Sequence, residues 1–187
     1  PVNNLVKLNS DGSLNSTLVQ NSLVGVVNSI FVNSDGSSLI AGEFNLTGYT
    51  TSYTNLIRLT NKGELDTTFK VGNGLNGPVN VAKTLGDKSI IVGGKFSEFQ
   101  TRPSKGLVRL NNDGTLLTNY KGGFNTSSIH TPNVSDILEY PNGTLLIVGG
   151  DSDSNSWLST FQGVNIPTNI VKLKSNGYAD QTFSATT

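Results

Sequence analysis

Short runs of alternating apolar and polar residues dominate this chain, and no segment of ten or more residues has the spacing of a capped amphipathic helix. In residues 5–18, Val6, Leu8 and Leu14 alternate with polar neighbours, a period of two expected of a strand with one buried face. Other runs, such as 39–42 and 90–93, are continuously apolar, which predicts strands covered on both faces. The pattern therefore predicts an all-β fold with almost no helix.

Two phrases repeat in a fixed order along the chain. The first reads LVKLNSDGSLNSTL at 5–18, LIRLTNKGELDTTF at 56–69, LVRLNNDGTLLTNY at 107–120 and IVKLKSNGYADQTF at 170–183. The second reads VNSIFVNSDGSSLIAGEF at 27–44, VNVAKTLGDKSIIVGGKF at 79–96 and VSDILEYPNGTLLIVGGD at 134–151. Pairs such as Asp11-Gly12 and Asp35-Gly36 lie between the apolar runs, and because both residue types accept a positive φ, each phrase is predicted to be a β-hairpin.

Two hairpins give four strands in the repeat step of 51 residues that separates Leu8, Leu59 and Leu110, and this is the size of a propeller blade. We predict a β-propeller-type repeat of four-stranded antiparallel blades, about three and a half blades in an incomplete ring. The predicted units are a half blade at 1–19, blades at 20–70 and 71–120, and a blade at 121–187 that carries an inserted loop at 151–167. Since closed propellers typically have at least four blades, we expect further chain or an oligomer to complete the ring.

Glycines end the apolar runs of the second phrase. Gly42, Gly94 and Gly150 occupy the same place in the three copies. Small residues suit a place where backbones approach closely, so we expect these runs to be inner strands near the propeller axis.

At these residues the chain resembles the delta-60 repeat family of bacterial and viral β-propeller proteins. The matching segments are LIRLTNKGELDTTF at 56–69, Gly72-Asn73-Gly74 and IIVGGKF at 90–96. The resemblance spans nearly the whole chain except 151–167, and it implies a propeller fold. It implies no catalytic residues.

Composition narrows the classes of function. The net charge is zero and the pI is about 7.1, so no basic surface for nucleic acid is expected, and no apolar run approaches a membrane span. The absence of cysteine excludes disulfides and thiolate metal sites. Polarity comes from Asn, Ser, Thr and Gly and only 14% of residues are charged, which favours an extracellular location or a virion surface.

The inserted loop holds the candidate site residues. Asp151, Asp153 and Asn155 have the spacing of the first half of a calcium-binding loop, although Ser156 and Gln162 stand where that loop needs Gly and Glu. Calcium is the one cofactor that the sequence suggests, and a solvated polar loop is the alternative.

Two aromatic residues, Trp157 and Phe161, follow these carboxylates. An exposed aromatic ring beside carboxylates and amides could stack on a sugar, so both are candidate ligand-binding residues. The alternative is a loop that is anchored by burying its aromatic rings.

Two further features are weaker candidates for a functional site. Residues 72–77 fit the letters of a GxGxxG motif, but Pro78 and a β-phrase follow where a dinucleotide fold needs a helix, which indicates a turn between blades. His130 is the only histidine, and nothing in the sequence pairs it with a metal ligand or a catalytic triad.

Three functions remain. The first is a non-catalytic structural or adhesive component of an extracellular assembly, best interpreted as a bacteriophage fibre or surface-decorating protein. Its partners would be other subunits and a surface glycan or protein receptor, with no nucleic acid and no membrane. The second is a secreted or surface-anchored bacterial propeller that binds polysaccharide or protein, and the third, a propeller enzyme, lacks convergent catalytic residues in the sequence.

Overall fold

The computed structural model describes residues 5–15, 23–120, 124, 132–150, 160–162, 164–166 and 169–183. In these residues the fold is all-β and contains no helix, so none could span a membrane. Three antiparallel sheets of three strands each follow one another along the chain, as expected of a propeller-type repeat that is not closed into a ring.

The first blade comprises β1 (Leu23–Val32), β2 (Ser38–Leu46) and β3 (Tyr53–Leu59). The second comprises β4 (Val79–Thr84), β5 (Ile90–Gly94) and β8 (Leu107–Leu110), and the third comprises β9 (Val134–Glu139), β10 (Leu145–Gly149) and β13 (Ile170–Leu173). Two short hairpins, β6 (Glu98–Phe99) with β7 (Arg102–Pro103) and β11 (Thr160–Phe161) with β12 (Val164–Asn165), lie in the links.

The middle strands β2 and β5 are buried on both faces, as the apolar runs predict, whereas Leu146 and Val148 on one face of β10 are half-buried. In β5 all five residues are buried, and Leu39, Ile40 and Ala41 of β2 are at most 1% exposed. Apolar side chains from neighbouring blades merge into two clusters, so the core consists of the layers between blades.

The fourth strand of each blade is shorter than predicted. After the turn of the first phrase, pairing is reduced to one isolated bridge in each copy, for example Leu59 with Leu65. In the first blade the chain then turns because the carboxylate of Asp66 accepts hydrogen bonds from the backbone N–H and the hydroxyl of Thr68. The half blade at the start has the same form, a bridge between Leu8 and Leu14.

A β-bulge interrupts the first strand of every blade, and it corrects the glycine alignment. Val27 pairs with Gly42, Val79 with Gly94 and Val134 with Gly149, so Gly149, and not Gly150, is the third equivalent residue. A Cβ atom at these three glycines would lie 2.0, 2.3 and 2.1 Å from the carbonyl oxygens of Val26, Pro78 and Asn133. The glycines are therefore required by close contact with the bulged neighbouring strand.

Candidate functional site

An open groove of about 1090 Å³ lies between the first and second blades, at the end of the strands where the links run. Its walls come from β1, from the end of β2, from the start of β3, from residues 72–78 and from the tip of the β6–β7 hairpin. Val24 and Val26, which are 64% and 55% exposed, give it an apolar surface. Among the described residues that line it, Glu43 and Glu98 are the only charged ones.

The glycine-rich segment 72–77 forms one wall of this groove, and side chains at the start of β3 hold it by hydrogen bonds. The hydroxyl of Thr54 donates to the carbonyl oxygen of Asn73 over 2.5 Å, and the amide of Asn55 donates to the carbonyl oxygens of Leu75 and Gly77 over 2.9 and 3.0 Å. No helix follows the segment, because β4 begins at Val79. The prediction of a turn between blades is confirmed, and the phosphate-binding interpretation is not supported.

Asn55 is a residue that the sequence reasoning missed. It has φ of +64°, and its side-chain oxygen accepts a hydrogen bond from the backbone N–H of Phe44. Gly106 and Asn169 occupy the equivalent place before β8 and β13, with φ of +69° and +57°. The recurrence of Asn, Gly and Asn just before the first phrase was the available signal, since these residues best tolerate the left-handed region.

The opposite wall of the groove contains strained backbone. Gln100 and Thr101 form the two-residue turn between β6 and β7, with φ of +48° and +67°. Such turns favour Asn-Gly, and a β-branched residue at positive φ is unusual. The side-chain amide of Gln100 donates to the carbonyl oxygen of Lys70 over 3.2 Å, which attaches this hairpin to the segment before residues 72–77.

The acidic residues of the hairpin turns hold the turns themselves. Each carboxylate accepts a hydrogen bond from the backbone N–H and the hydroxyl two residues later, and the pairs are Asp11 with Ser13, Asp35 with Ser37, Asp87 with Ser89, and Asp113 with Thr115. The hydroxyl donors hold the pKa of Asp11, Asp35 and Asp113 below its ordinary value. These carboxylates act as turn residues, and no three of the described His, Asp or Glu side chains are placed to hold a metal ion.

The candidate residues of the inserted loop fall largely outside the described part of the chain. The residues that lie outside the described part are Asp151, Asp153, Asn155, Trp157 and His130. Phe161 is described, is 0% exposed, and meets the ring of Phe124 edge-on with 4.9 Å between ring centroids. Its ring is therefore part of the core and is not available to stack on a ligand, which agrees with the alternative of a loop anchored by its aromatic rings.

Repeated blades with bulged first strands and an incomplete ring define a β-propeller protein. A family model described as a domain of unknown function (DUF5122) beta-propeller matches residues 33–69 and 85–116. Both stretches run from the turn of the second phrase into the first phrase. The match supports a β-propeller repeat family, while the delta-60 name remains a resemblance.

One similar solved structure is a crystal structure of a protein of unknown function from Bacteroides caccae. The TM-score is 0.41 at 15% sequence identity, and the alignment covers 95% of this chain and 59% of that chain. This chain thus spans less than two thirds of that protein's length. No curated protein matches the chain.

Proposed function

We propose that this chain is a non-catalytic structural or adhesive β-propeller component of an extracellular assembly. The assembly that we propose is a bacteriophage virion, in which the chain serves as a fibre or surface-decorating protein. The groove between the first two blades is the observation that supports an adhesive role.

The chemistry of the groove suits a surface ligand. Exposed valines offer an apolar contact, while Glu43, Asn45 and Glu98 offer hydrogen-bond acceptors and an amide at its rim. This combination of apolar surface with a few polar groups is typical of binding sites, and it suits a glycan with many hydroxyl groups or a protein receptor. The amides of Asn55 and Gln100 are engaged in holding the loops, which supports a binding site with a fixed shape.

Attachment of the labelled chain to intact bacterial cells tests the adhesive part of the proposal. Val24→Asp combined with Glu98→Gln should reduce attachment at least about tenfold, because it removes apolar contact and an acceptor together. Thermal unfolding should stay unchanged, since both side chains are exposed. Glu64→Gln, an exposed glutamate in a hairpin turn outside the groove, is the matched control. Normal attachment of the groove variant would contradict the assignment of the groove.

The inserted loop is tested separately. Deletion of residues 151–167 with a short glycine link should reduce attachment if the loop contributes to the contact. Phe161 is buried, so a second variant that removes only 151–159 keeps the core residue in place. Attachment that survives both deletions would confine the contact to the groove.

The virion assignment has its own test. Immunogold labelling of purified phage particles with an antibody against this chain should decorate the tail or the capsid surface. Labelling of bacterial cell surfaces in the absence of phage would instead support a secreted or surface-anchored bacterial propeller.

A further inference from the structure

The first hairpin of the first blade is longer than its counterparts, and its extension forms one wall of the groove. β4 and β9 begin at Val79 and Val134, and the register makes both residues equivalent to Val27 of β1. β1 begins earlier, at Leu23, and the added residues continue the pairing with the end of β2. Within the described residues, this extension is particular to the first blade.

The extension presents one face to the second blade. Val26 pairs with Glu43, and residues paired in this way have their side chains on the same face of a hairpin. Both line the groove together with residues 72–78 and the β6–β7 hairpin. The groove is therefore bounded by the first blade and by residues that follow it in the chain.

Hydrogen bonds beside the groove hold the two blades together. The amide of Asn28, in the bulge of β1, donates to the carbonyl oxygen of Val79 at the start of β4 over 3.0 Å. The corresponding amide of Asn80 donates to the carbonyl oxygen of Val134 in the next interface. The groove is thus a gap of fixed width between two docked blades.

Two carboxylates give the groove a negative charge. Glu43 belongs to the first blade and Glu98 to the link of the second. In the described part of the chain neither carboxylate forms a hydrogen bond or an ion pair, and no described lysine or arginine lines the groove. By contrast, Asp66, Asp87 and Asp113 are each paired with a basic side chain. The charge of the groove is therefore left for a ligand to neutralise.

Exposed apolar surface lies beside these carboxylates, on Val24 and Val26. An arginine or lysine side chain matches both features, because its alkyl stem packs on apolar surface while its cationic end pairs with carboxylates. A neutral glycan would leave the two charges unpaired, and an acidic glycan would be repelled by them. The charge of the groove therefore favours a basic segment of a protein over a glycan.

We propose that the groove binds an extended basic segment of a protein partner. The alkyl stem of an arginine or lysine packs on Val24 and Val26, and its cation lies between the carboxylates of Glu43 and Glu98. The volume of about 1090 Å³ accommodates several residues of such a segment. This inference rests on the proposed adhesive function and names the class of ligand that the groove takes.

Peptides of matched shape and different charge test the inference. A capped, fluorescein-labelled peptide of alternating valine and arginine should bind the 187-residue chain saturably in fluorescence anisotropy. The matched peptide has citrulline, a neutral side chain of similar shape, in place of each arginine and should bind at least about tenfold more weakly. Binding of the arginine peptide should also weaken as the salt concentration rises from about 0.05 M to about 0.5 M.

Substitutions in the chain locate the contact. Glu43→Gln combined with Glu98→Gln should weaken binding of the arginine peptide at least about tenfold. Glu64→Gln, at an exposed glutamate outside the groove, is the control and should bind normally. Glu43→Lys combined with Glu98→Lys should lose the arginine peptide and bind a peptide of alternating valine and glutamate instead. The three glutamates are exposed, so thermal unfolding should be the same throughout the set.

Three results would overturn the inference: no saturable binding of the arginine peptide, equal binding of the citrulline peptide, or equal binding by the chain with both glutamines. Attachment to cells separates this inference from the proposed function. If Val24→Asp with Glu98→Gln abolishes attachment but the arginine peptide does not bind, the groove is adhesive and its ligand is a glycan. If the arginine peptide binds in the predicted way but the chain does not attach to cells, the ligand class stands and the adhesive function is wrong.

Discussion

The guanidinium of Arg58 donates a hydrogen bond of 2.5 Å to the backbone carbonyl of Asn112, which lies 54 residues further along the chain in the next blade. Within its own blade, Arg58 also forms an ion pair of 2.7 Å with Asp66 and lies 4.6 Å from the ring centroid of Phe69. One side chain thus joins the turn of its own blade to the turn of the next. Arg109 makes the equivalent bond to the carbonyl oxygen of Ser175 in the next blade, but its carboxylate partner is Asp87, in the turn of the second phrase.

Replacing either arginine should therefore weaken the interface between two blades. Arg109→Ala should lower the free energy of unfolding by about 2–4 kcal/mol, because Arg109 is 6% exposed and its removal breaks its hydrogen bonds to Ser89, Asp87 and Ser175. Urea denaturation measures the effect. Lys70→Ala breaks an exposed ion pair with Asp113 and should cost less than about 1 kcal/mol. Equal effects of the two substitutions would contradict this account of the interface.

Alanine substitutions at two glycines distinguish the cost of a steric clash from the cost of a positive φ. Gly94→Ala should destabilise the protein by about 3 kcal/mol or more, since its Cβ would meet the backbone of Pro78 and Val79 in a buried sheet. Gly12→Ala should cost only about 1 kcal/mol, because Gly12 has φ of +82° but nothing within 4 Å of the added atom. Chemical denaturation of both variants tests the difference, and a reversed order would show that the bulge leaves more room than the structure indicates.

The strained turn of the β6–β7 hairpin should be improvable. Thr101→Gly relieves a β-branched residue at φ of +67° and should stabilise the chain by about 1 kcal/mol, a rise in melting temperature of roughly 2–4 °C. Thr115→Gly is the contrasting variant and should destabilise, because Thr115 does not have a positive φ and its hydroxyl donates to Asp113 over 2.6 Å, whereas the Thr101 hydroxyl donates to the carbonyl oxygen of the adjacent Gln100. Differential scanning calorimetry measures both, and a fall in melting temperature for Thr101→Gly would mean that its side chain is needed in the turn.

Phe161 should behave as a core residue. Phe161→Ala should lower the free energy of unfolding by about 3–5 kcal/mol, since it empties a fully buried position against Phe124. Phe161→Leu retains most of the apolar volume and should cost clearly less. If Phe161→Ala instead left stability unchanged and reduced ligand attachment, the ring would have a binding role after all.

Acid should weaken the turns. Burial raises the pKa of Asp66. The hydrogen bonds from the Thr68 hydroxyl and the Arg58 guanidinium lower it by more, so the pKa lies below its ordinary value. The stabilisation is fully present above the unfolded-state pKa of about 3.9, and it is lost as the pH falls through the lower folded-state pKa. The free energy of unfolding, measured by urea denaturation at each pH, should therefore decrease as the pH falls below about 4, and Asp66→Asn should flatten that dependence.

The repeat and the fold class could be predicted from sequence because hairpin turns and alternating apolar residues are local signals. The fourth strand was predicted too long, because the first phrase continues past Leu65 without a residue that breaks a strand. In the structure the carboxylate of Asp66 closes a turn with Thr68 and ends the strand there. Gly150 was misaligned because a bulge changes the register by one residue, and a bulge has no fixed sequence signature.

The candidate site was harder to foresee for a related reason. The groove is formed by Val24 of one strand, by the glycine-rich segment and by the turn at Gln100, which are brought together only by the packing of two blades. Phe161 was compatible with an exposed or a buried ring, and only its contact with Phe124 decides between them. Long-range contacts of this kind are absent from any local pattern.

The hydrogen bonds of Asn28 and Asn80 have an evolutionary consequence. Each amide reaches the blade that follows, so the first and second blades each carry the means of attachment to their next neighbour. An array with such nearest-neighbour contacts can gain or lose a unit by in-frame duplication or deletion without rebuilding the others. The copy number of blades is thus free to vary between descendants of one ancestral gene, while the geometry of each junction is inherited unchanged.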